Sequence, residues 1–311
     1  MGPMWKSISA SVTGTSHLAT DAPCQDYSCA EVVDGPDGQF LIAACADGAG
    51  SVSRSELGAR VACHEFLQLV KCAVADGEIT PSFAREDGLK WYSTIREKLV
   101  SEAATIEVPL RELSCTLLGA VIGETFAIFL QIGDGAIVID AGDAYRTVFW
   151  PQSGEYCNET NFLTKPDLKR VLDFAVVEQP ISKLAMFTDG LELLILQLDS
   201  HSVHAPALEP FFTTIRRTSD VPGLTQALRT FLNSEKVNQK TDDDKTLLLA
   251  IRSRNDETCQ PDSLTTMDAL SDSAKNLDEE EKDMSLRSSA TRATWWRRFI
   301  RAMFQRPNQK S

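Results

Sequence analysis

Carboxylates at the ends of apolar runs are the residues of this chain best placed to do chemistry. Phe40-Leu41-Ile42-Ala43-Ala44-Cys45-Ala46 closes on Asp47-Gly48, and Leu184-Ala185-Met186-Phe187-Thr188 closes on Asp189-Gly190. Ile132 is followed by Gly133-Asp134-Gly135, and Asp242-Asp243-Asp244 stands just before the apolar stretch 247–251. A short apolar run bounded by turn residues fits a buried strand. At the end of such a strand a side chain is held rigidly while it still faces an opening. A single Asp-Gly pair is only a turn signal; the repetition is what points to a site. Carboxylates crowded at one sheet edge repel one another unless a cation neutralises them. Oxygen ligands without histidine or thiolate select hard ions such as Mg²⁺ or Mn²⁺ over zinc. Gly48 has no Cβ, so its backbone can approach an ion and offer its carbonyl. The carboxylates are spread along the chain, which excludes an EF-hand, whose ligands share one loop.

The elements that must gather these turns can be read from hydrophobic period. Residues 7–13 alternate Ile8, Ala10 and Val12 with polar side chains, the period of a half-buried strand, and 14–24 reads as a polar loop. Residues 27–33 and 40–46 flank the turn Asp34-Gly35-Pro36-Asp37-Gly38 and should form a hairpin. Ser53-Arg54-Ser55-Glu56 has the form of a capping box, and Leu57, Val61, Phe66, Leu67 and Val70 then predict a helix over 55–75. A second helix is expected between Pro81 and Ala104. Strands return at 115–122, 126–132 and 136–139, each closed by a glycine-containing turn, and read as an antiparallel meander. Residues 146–150 and 175–177 would add to it. Helical patterns at 191–198 and 221–232 complete an α+β chain.

Composition bounds the function. The chain has 311 residues, 43% of them apolar, enough for a sizeable core. The 44 acidic and 31 basic residues leave a net charge of −13, which argues against a nucleic-acid surface. Eight cysteines include no Cys-x-x-Cys pair, and several lie in apolar runs; they read as buried hydrophobes in a reducing compartment. No basic segment followed by an apolar core opens the chain, and no run approaches the length needed to span a bilayer, so a cytoplasmic location is expected.

Gln25-Asp26, Ala46-Asp47-Gly48-Ala49-Gly50, Ser114-Cys115-Thr116-Leu117, Gly133-Asp134-Gly135, Thr188-Asp189-Gly190 and Asp243-Asp244-Lys245-Thr246 occur in that order. In this ordered set the chain resembles the metal-dependent (PPM, type 2C) serine/threonine protein phosphatases, over about residues 5–252. The resemblance implies a four-layer αββα sandwich, two antiparallel sheets flanked by helices, with metals at one end between the sheets. It also implies a protein phosphatase that hydrolyses phosphoserine or phosphothreonine by a metal-activated water. Asp47 would bridge two Mg²⁺ or Mn²⁺ ions, with the Gly48 carbonyl on one of them and Asp189 and Asp243 on the other. Asp134 matches the position of a third ion, and Asp26 would orient waters. Assigning Asp243 rests on alignment to an Asp-Asn-x-Thr pattern; a slip of one residue would select Asp242.

Two positions depart from the family. Gln25 stands where a glutamate ligand is usual, and Asp21 where an arginine meets the phosphate. Glutamine offers a metal an oxygen without charge and should weaken that metal. His17 either takes over the phosphate role or is an ordinary surface histidine; a bacterial subgroup with a histidine and Cys-Gln-Asp looks similar here. Arg54 is a second candidate. These departures also sustain an alternative reading, a catalytically weak or silent phosphatase fold acting as a binding module.

Beyond the domain expected over 1–252, the composition changes twice. Residues 256–283 carry ten acidic residues against two lysines, within an acidic disordered linker expected over 253–283. Residues 284–311 carry seven basic residues and no acids, and Trp295, Trp296, Phe299, Ile300, Met303 and Phe304 share one helical face. Such a basic amphipathic helix suits docking on an anionic membrane surface, through 287–306, on a partner protein or on its own catalytic domain.

Overall fold

The computed structural model describes residues 4–142, 144–152 and 160–253. Apart from Ser253, the expected acidic linker and basic helix lie outside the described residues. The chain enters through β1 (Met4–Val12), passes the short helix α1 (Thr15–Ala19) and forms the hairpin of β2 (Tyr27–Gly35) and β3 (Gly38–Ala46). Helices α2 (Ser55–Ala75) and α3 (Arg85–Thr105) follow, then β4 (Leu117–Ile122) and β5 (Ala127–Ile132). Next come β6 (Ala136–Ala141), β7 (Ala144–Thr147), the single turn α4 (Leu168–Val171), β8 (Asp173–Val177) and β9 (Lys183–Phe187). After α5 (Glu192–Ile195) the short strands β10 (Leu196–Gln197) and β11 (Ser202–Val203) pair with each other. Helices α6 (Ala205–Arg217), α7 (Val221–Leu232) and α8 (Glu235–Asn238) lead to the closing strand β12 (Lys245–Ser253).

The strands form two five-stranded antiparallel sheets, ordered β1-β12-β9-β6-β7 and β2-β3-β4-β5-β8. Three apolar layers hold them. On β3, Leu41, Ala43 and Cys45 face the other sheet, while Phe40, Ile42, Ala44 and Ala46 pack toward α2 and α3. On β9, Leu184 and Met186 join the layer between the sheets, and Ala185 and Phe187 face α6 and α7. A strand buried on both faces has no polar side to show, which is why these segments read as unbroken apolar runs. Each fully buried Leu, Ile or Phe stabilises the fold by about 1.5–3 kcal/mol. The result is the expected four-layer αββα sandwich. Among the described residues no helix is long and apolar enough to cross a membrane.

The structure changes several local readings. The meander stops after two strands: β4 and β5 pair, but β6 crosses to the other sheet and pairs with β7 and β9. The crossing uses Gly133, whose φ of +118° a side chain rarely adopts. Ser53 does not cap α2; its backbone N–H and hydroxyl both donate to Glu112 Oε2, and Arg54 occupies the cap position. The loop over 14–24 contains α1. The helix expected over 191–198 is cut to one turn, because Leu196 and Gln197 pair as a strand with Val203 and Ser202. Helix α6 was not expected, since Pro206 and Pro210 interrupt its pattern; it forms because Leu208, Phe211, Phe212 and Ile215 bury one face.

Candidate metal centre

Asp47 follows β3, where its backbone is clamped by the segment before β4. Its N–H donates to Thr116 Oγ1 at 2.8 Å, and the Thr116 N–H donates to its carbonyl at 2.8 Å. Gly48 continues the contact as an isolated bridge to Cys115, with the Gln25 carbonyl 2.8 Å from where its Cβ would be. Asp134 sits in the crossing between the sheets. Buried Gln131 braces that turn, donating from Nε2 to the carbonyls of Gly133 and Gly135 at 3.1 and 2.9 Å. Asp189 leads off a 3₁₀ turn (Asp189–Leu191) directly after β9. Three strand ends from both sheets thereby bring one carboxylate oxygen each of Asp47, Asp134 and Asp189 within 4.8 Å of one another.

Asp26 lies behind them, 6% exposed, its Oδ2 accepting from Thr188 Oγ1 at 2.7 Å. Thr188 Oγ1 in turn accepts the Thr246 N–H at 3.1 Å, so the two acidic strand ends of one sheet are tied together. Three buried oxygens at the centre have no hydrogen-bond partner: Asp26 Oδ1, Asp134 Oδ1 and Gln25 Oε1. A buried polar oxygen without a donor is costly. Orphaned acceptors in an oxygen-only set fit a hard divalent cation.

Electrostatics point the same way. Burial, then repulsion from Asp26 and Asp189, holds the Asp47 carboxyl well above its ordinary range. Burial, then Asp134 and Asp243, pushes Asp189 up to about 7. Burial also raises Asp26 to about 7, against the hydrogen bond from Thr188, and is the main cause for Asp134. Raised in this way, the carboxyls favour protons, which a bound cation would displace.

The acidic triplet divides by function. Asp243 is exposed, outside the three-carboxylate cluster, yet its charge bears on both Asp134 and Asp189. Asp242 is exposed and uses its carbonyl to accept from the Ser16 N–H and hydroxyl. Asp244 is buried: Oδ1 accepts the Gly14 N–H at 2.6 Å and lies 3.0 Å from His17 Nδ1, and Oδ2 accepts the Gln25 N–H at 2.6 Å. Arg54 is exposed at the start of α2. Sequence reading passed over Asp244, Gln131 and Thr160, whose hydroxyl donates to Asp134 Oδ2 at 2.6 Å. Asp244 was hidden among equal neighbours. Thr160 and Gln131 had no signal of their own.

Comparison with known proteins agrees with this architecture. Residues 13–233 match the family model described as Protein phosphatase 2C. The chain is 36% identical over 250 residues to Serine/threonine-protein phosphatase 3 of Escherichia coli (strain K12), covering 79% of this chain and 98% of that protein. The structure of serine/threonine phosphatase Stp1 from Staphylococcus aureus superposes with a TM-score of 0.53 at 14% identity, over 82% of this chain and 97% of that one. A bacterial serine phosphatase gives a TM-score of 0.51 at 13% identity, over 82% and 100% of the two chains. At those identities the solved structures establish a shared fold. The matched span and the E. coli relative go further: this chain belongs to the protein phosphatase 2C family.

Proposed function

We propose that this protein phosphatase removes phosphate from phosphoserine and phosphothreonine in proteins at a centre of two Mg²⁺ or Mn²⁺ ions, with a third position at Asp134. What supports the reading is the half-buried oxygen-only cluster of Asp47, Asp134 and Asp189, with the partnerless acceptors Asp26 Oδ1, Asp134 Oδ1 and Gln25 Oε1 in and beside it. Asp47 would bridge the ions, the Gly48 carbonyl and Gln25 would serve one, and Asp189 and Asp243 the other. When bound, the cations supply the acidity that activates water and offset charge on the phosphoryl oxygens. Asp26, fixed by Thr188, holds and orients the attacking water from its free oxygen. His17, with its side chain 16% exposed, takes the phosphate contact that Asp21 cannot make.

Mn²⁺-dependent hydrolysis of a phosphothreonine peptide tests this. Asp47→Asn and Asp189→Asn should each lower kcat/KM by about 10²–10³-fold. Undiminished turnover in both would overturn it. The alternative of a silent binding module finds no support in the fold, the family or the E. coli relative.

The chain is further proposed to be cytoplasmic, with the acidic linker tethering the basic helix of 284–311 as a docking element for a membrane surface, a partner protein or the catalytic domain. Sequence pattern is its support. Co-sedimentation with anionic vesicles, with and without residues after Met284, tests the membrane arm; equal sedimentation removes it.

A further inference from the structure

We propose that Asp244 is a positioning residue: it staples the segment 14–25 and turns the His17 ring so that Nε2 faces the metal centre and meets the substrate phosphate. This rests on the reading of the cluster as the phosphatase site and assigns work there to a residue outside the ligand set.

Two backbone N–H groups donate to one buried carboxylate, and His17 Nδ1 lies 3.0 Å from it without a completed hydrogen bond. Gly14 precedes α1, Gln25 ends the loop that follows it, and His17 lies on α1 between them, so one side chain binds both ends of the segment and touches the ring it carries. Asp244 is itself fixed, its N–H donating to Asp243 Oδ1 at 2.8 Å. Its contact at 3.0 Å is to Nδ1, which leaves Nε2 on the far side of the ring. There Nε2 and the partnerless Gln25 Oε1 each lie 3.8 Å from the point a Cβ on Gly50 would occupy. The two atoms therefore border the same place beside Gly50. A carboxylate partner on one ring nitrogen sets which nitrogen carries hydrogen and where the other points. An asparagine at 244 has one oxygen for two sides: turned to Gly14 it sets its amide against the Gln25 N–H, and turned to Gln25 it sets its amide against the Gly14 N–H and the His17 ring.

The test is a double-mutant cycle on the full Mn²⁺-loaded chain with a phosphothreonine peptide. Asp244→Asn should lower kcat/KM by about tenfold in the wild-type background. In the His17→Gln background the same change should cost less than about twofold. An undiminished tenfold cost in that background overturns the proposal, because Asp244 would then act through the loops alone. Nitrogen-15 spectra of the imidazoles decide the geometry independently of turnover. His17→Gln identifies the resonance among the four histidines. In the metal-free wild type under alkaline conditions, His17 should carry its hydrogen on Nδ1, and Asp244→Asn should abolish that preference. A wild-type ring with its hydrogen on Nε2 overturns the proposal even if Asp244→Asn fails to fold. Absence of any hydrolysis would instead sink the phosphatase assignment of the cluster, while the spectra would still decide the staple.

Discussion

Replacing Asp26 by asparagine should stabilise the metal-free protein while damaging the enzyme. The folded state holds the Asp26 carboxyl up at about 7, against an ordinary 3.8, chiefly because it is buried. A raised folded pKa means that folding favours the protonated form. The associated stability is complete below about pH 4 and is lost as pH rises through about 7. At ~1.36 kcal/mol per pKa unit, the roughly three units between 3.8 and about 7 set a ceiling of ~4 kcal/mol on that loss. Asparagine keeps an oxygen for the Thr188 hydroxyl, which now donates at 2.7 Å, and carries no charge to desolvate. The variant should therefore match the wild type in acid and draw ahead of it toward pH 8, by at most ~4 kcal/mol. Mn²⁺ should reverse the order, since binding to the folded wild type adds stability that the variant's weakened site cannot match. Urea unfolding of chelator-stripped protein, followed by tryptophan fluorescence between about pH 5 and 8, measures the difference. A wild-type to variant difference that stays flat across that range would refute the reasoning.

Three further substitutions probe the same end of the molecule. Gln25→Glu puts a charge on the partnerless oxygen and should lower the Mn²⁺ concentration for half-saturation by about tenfold, read by calorimetry; an unchanged titration would remove Gln25 from the ligand set. Thr160→Val deletes the 2.6 Å hydrogen bond to Asp134 and should cost about 1 kcal/mol in chelator-treated protein, measured by urea midpoint. Gly190→Ala would put a Cβ 2.0 Å from the Asp244 carbonyl oxygen, a backbone atom that cannot simply move aside. It should lower stability by more than about 2 kcal/mol and loosen the acidic triplet, with the melting temperature as readout.

Much of the site was legible because its geometry follows from strand ends. β3 and β9 are buried on both faces, so their apolar runs and the Asp-Gly pairs that close them stood out in sequence, and Asp47 and Asp189 with them. Helix α2 was equally plain, its expected span of 55–75 matching Ser55–Ala75. What sequence could not show was which sheet a strand joins. β6 looks like the next strand of a meander, and only its pairing with β9 places Asp134 between the sheets. The roles within 242–244 were also closed to reading, because three successive aspartates are chemically equal until their donors are known. For Asp244 those donors are 230 and 219 residues away in the chain.

Strand β12 lies between β1 and β9, so the first strand of the chain meets its sheet only through the last one described. During synthesis β1 must wait, unpaired within its sheet, until residues up to 253 have left the ribosome. The acidic triplet arrives on the same late segment. Non-local pairing of this kind comes late, so the strand ends of this sheet are brought together only when β12 is present. The order of strands thus makes assembly of this sheet depend on the last strand described.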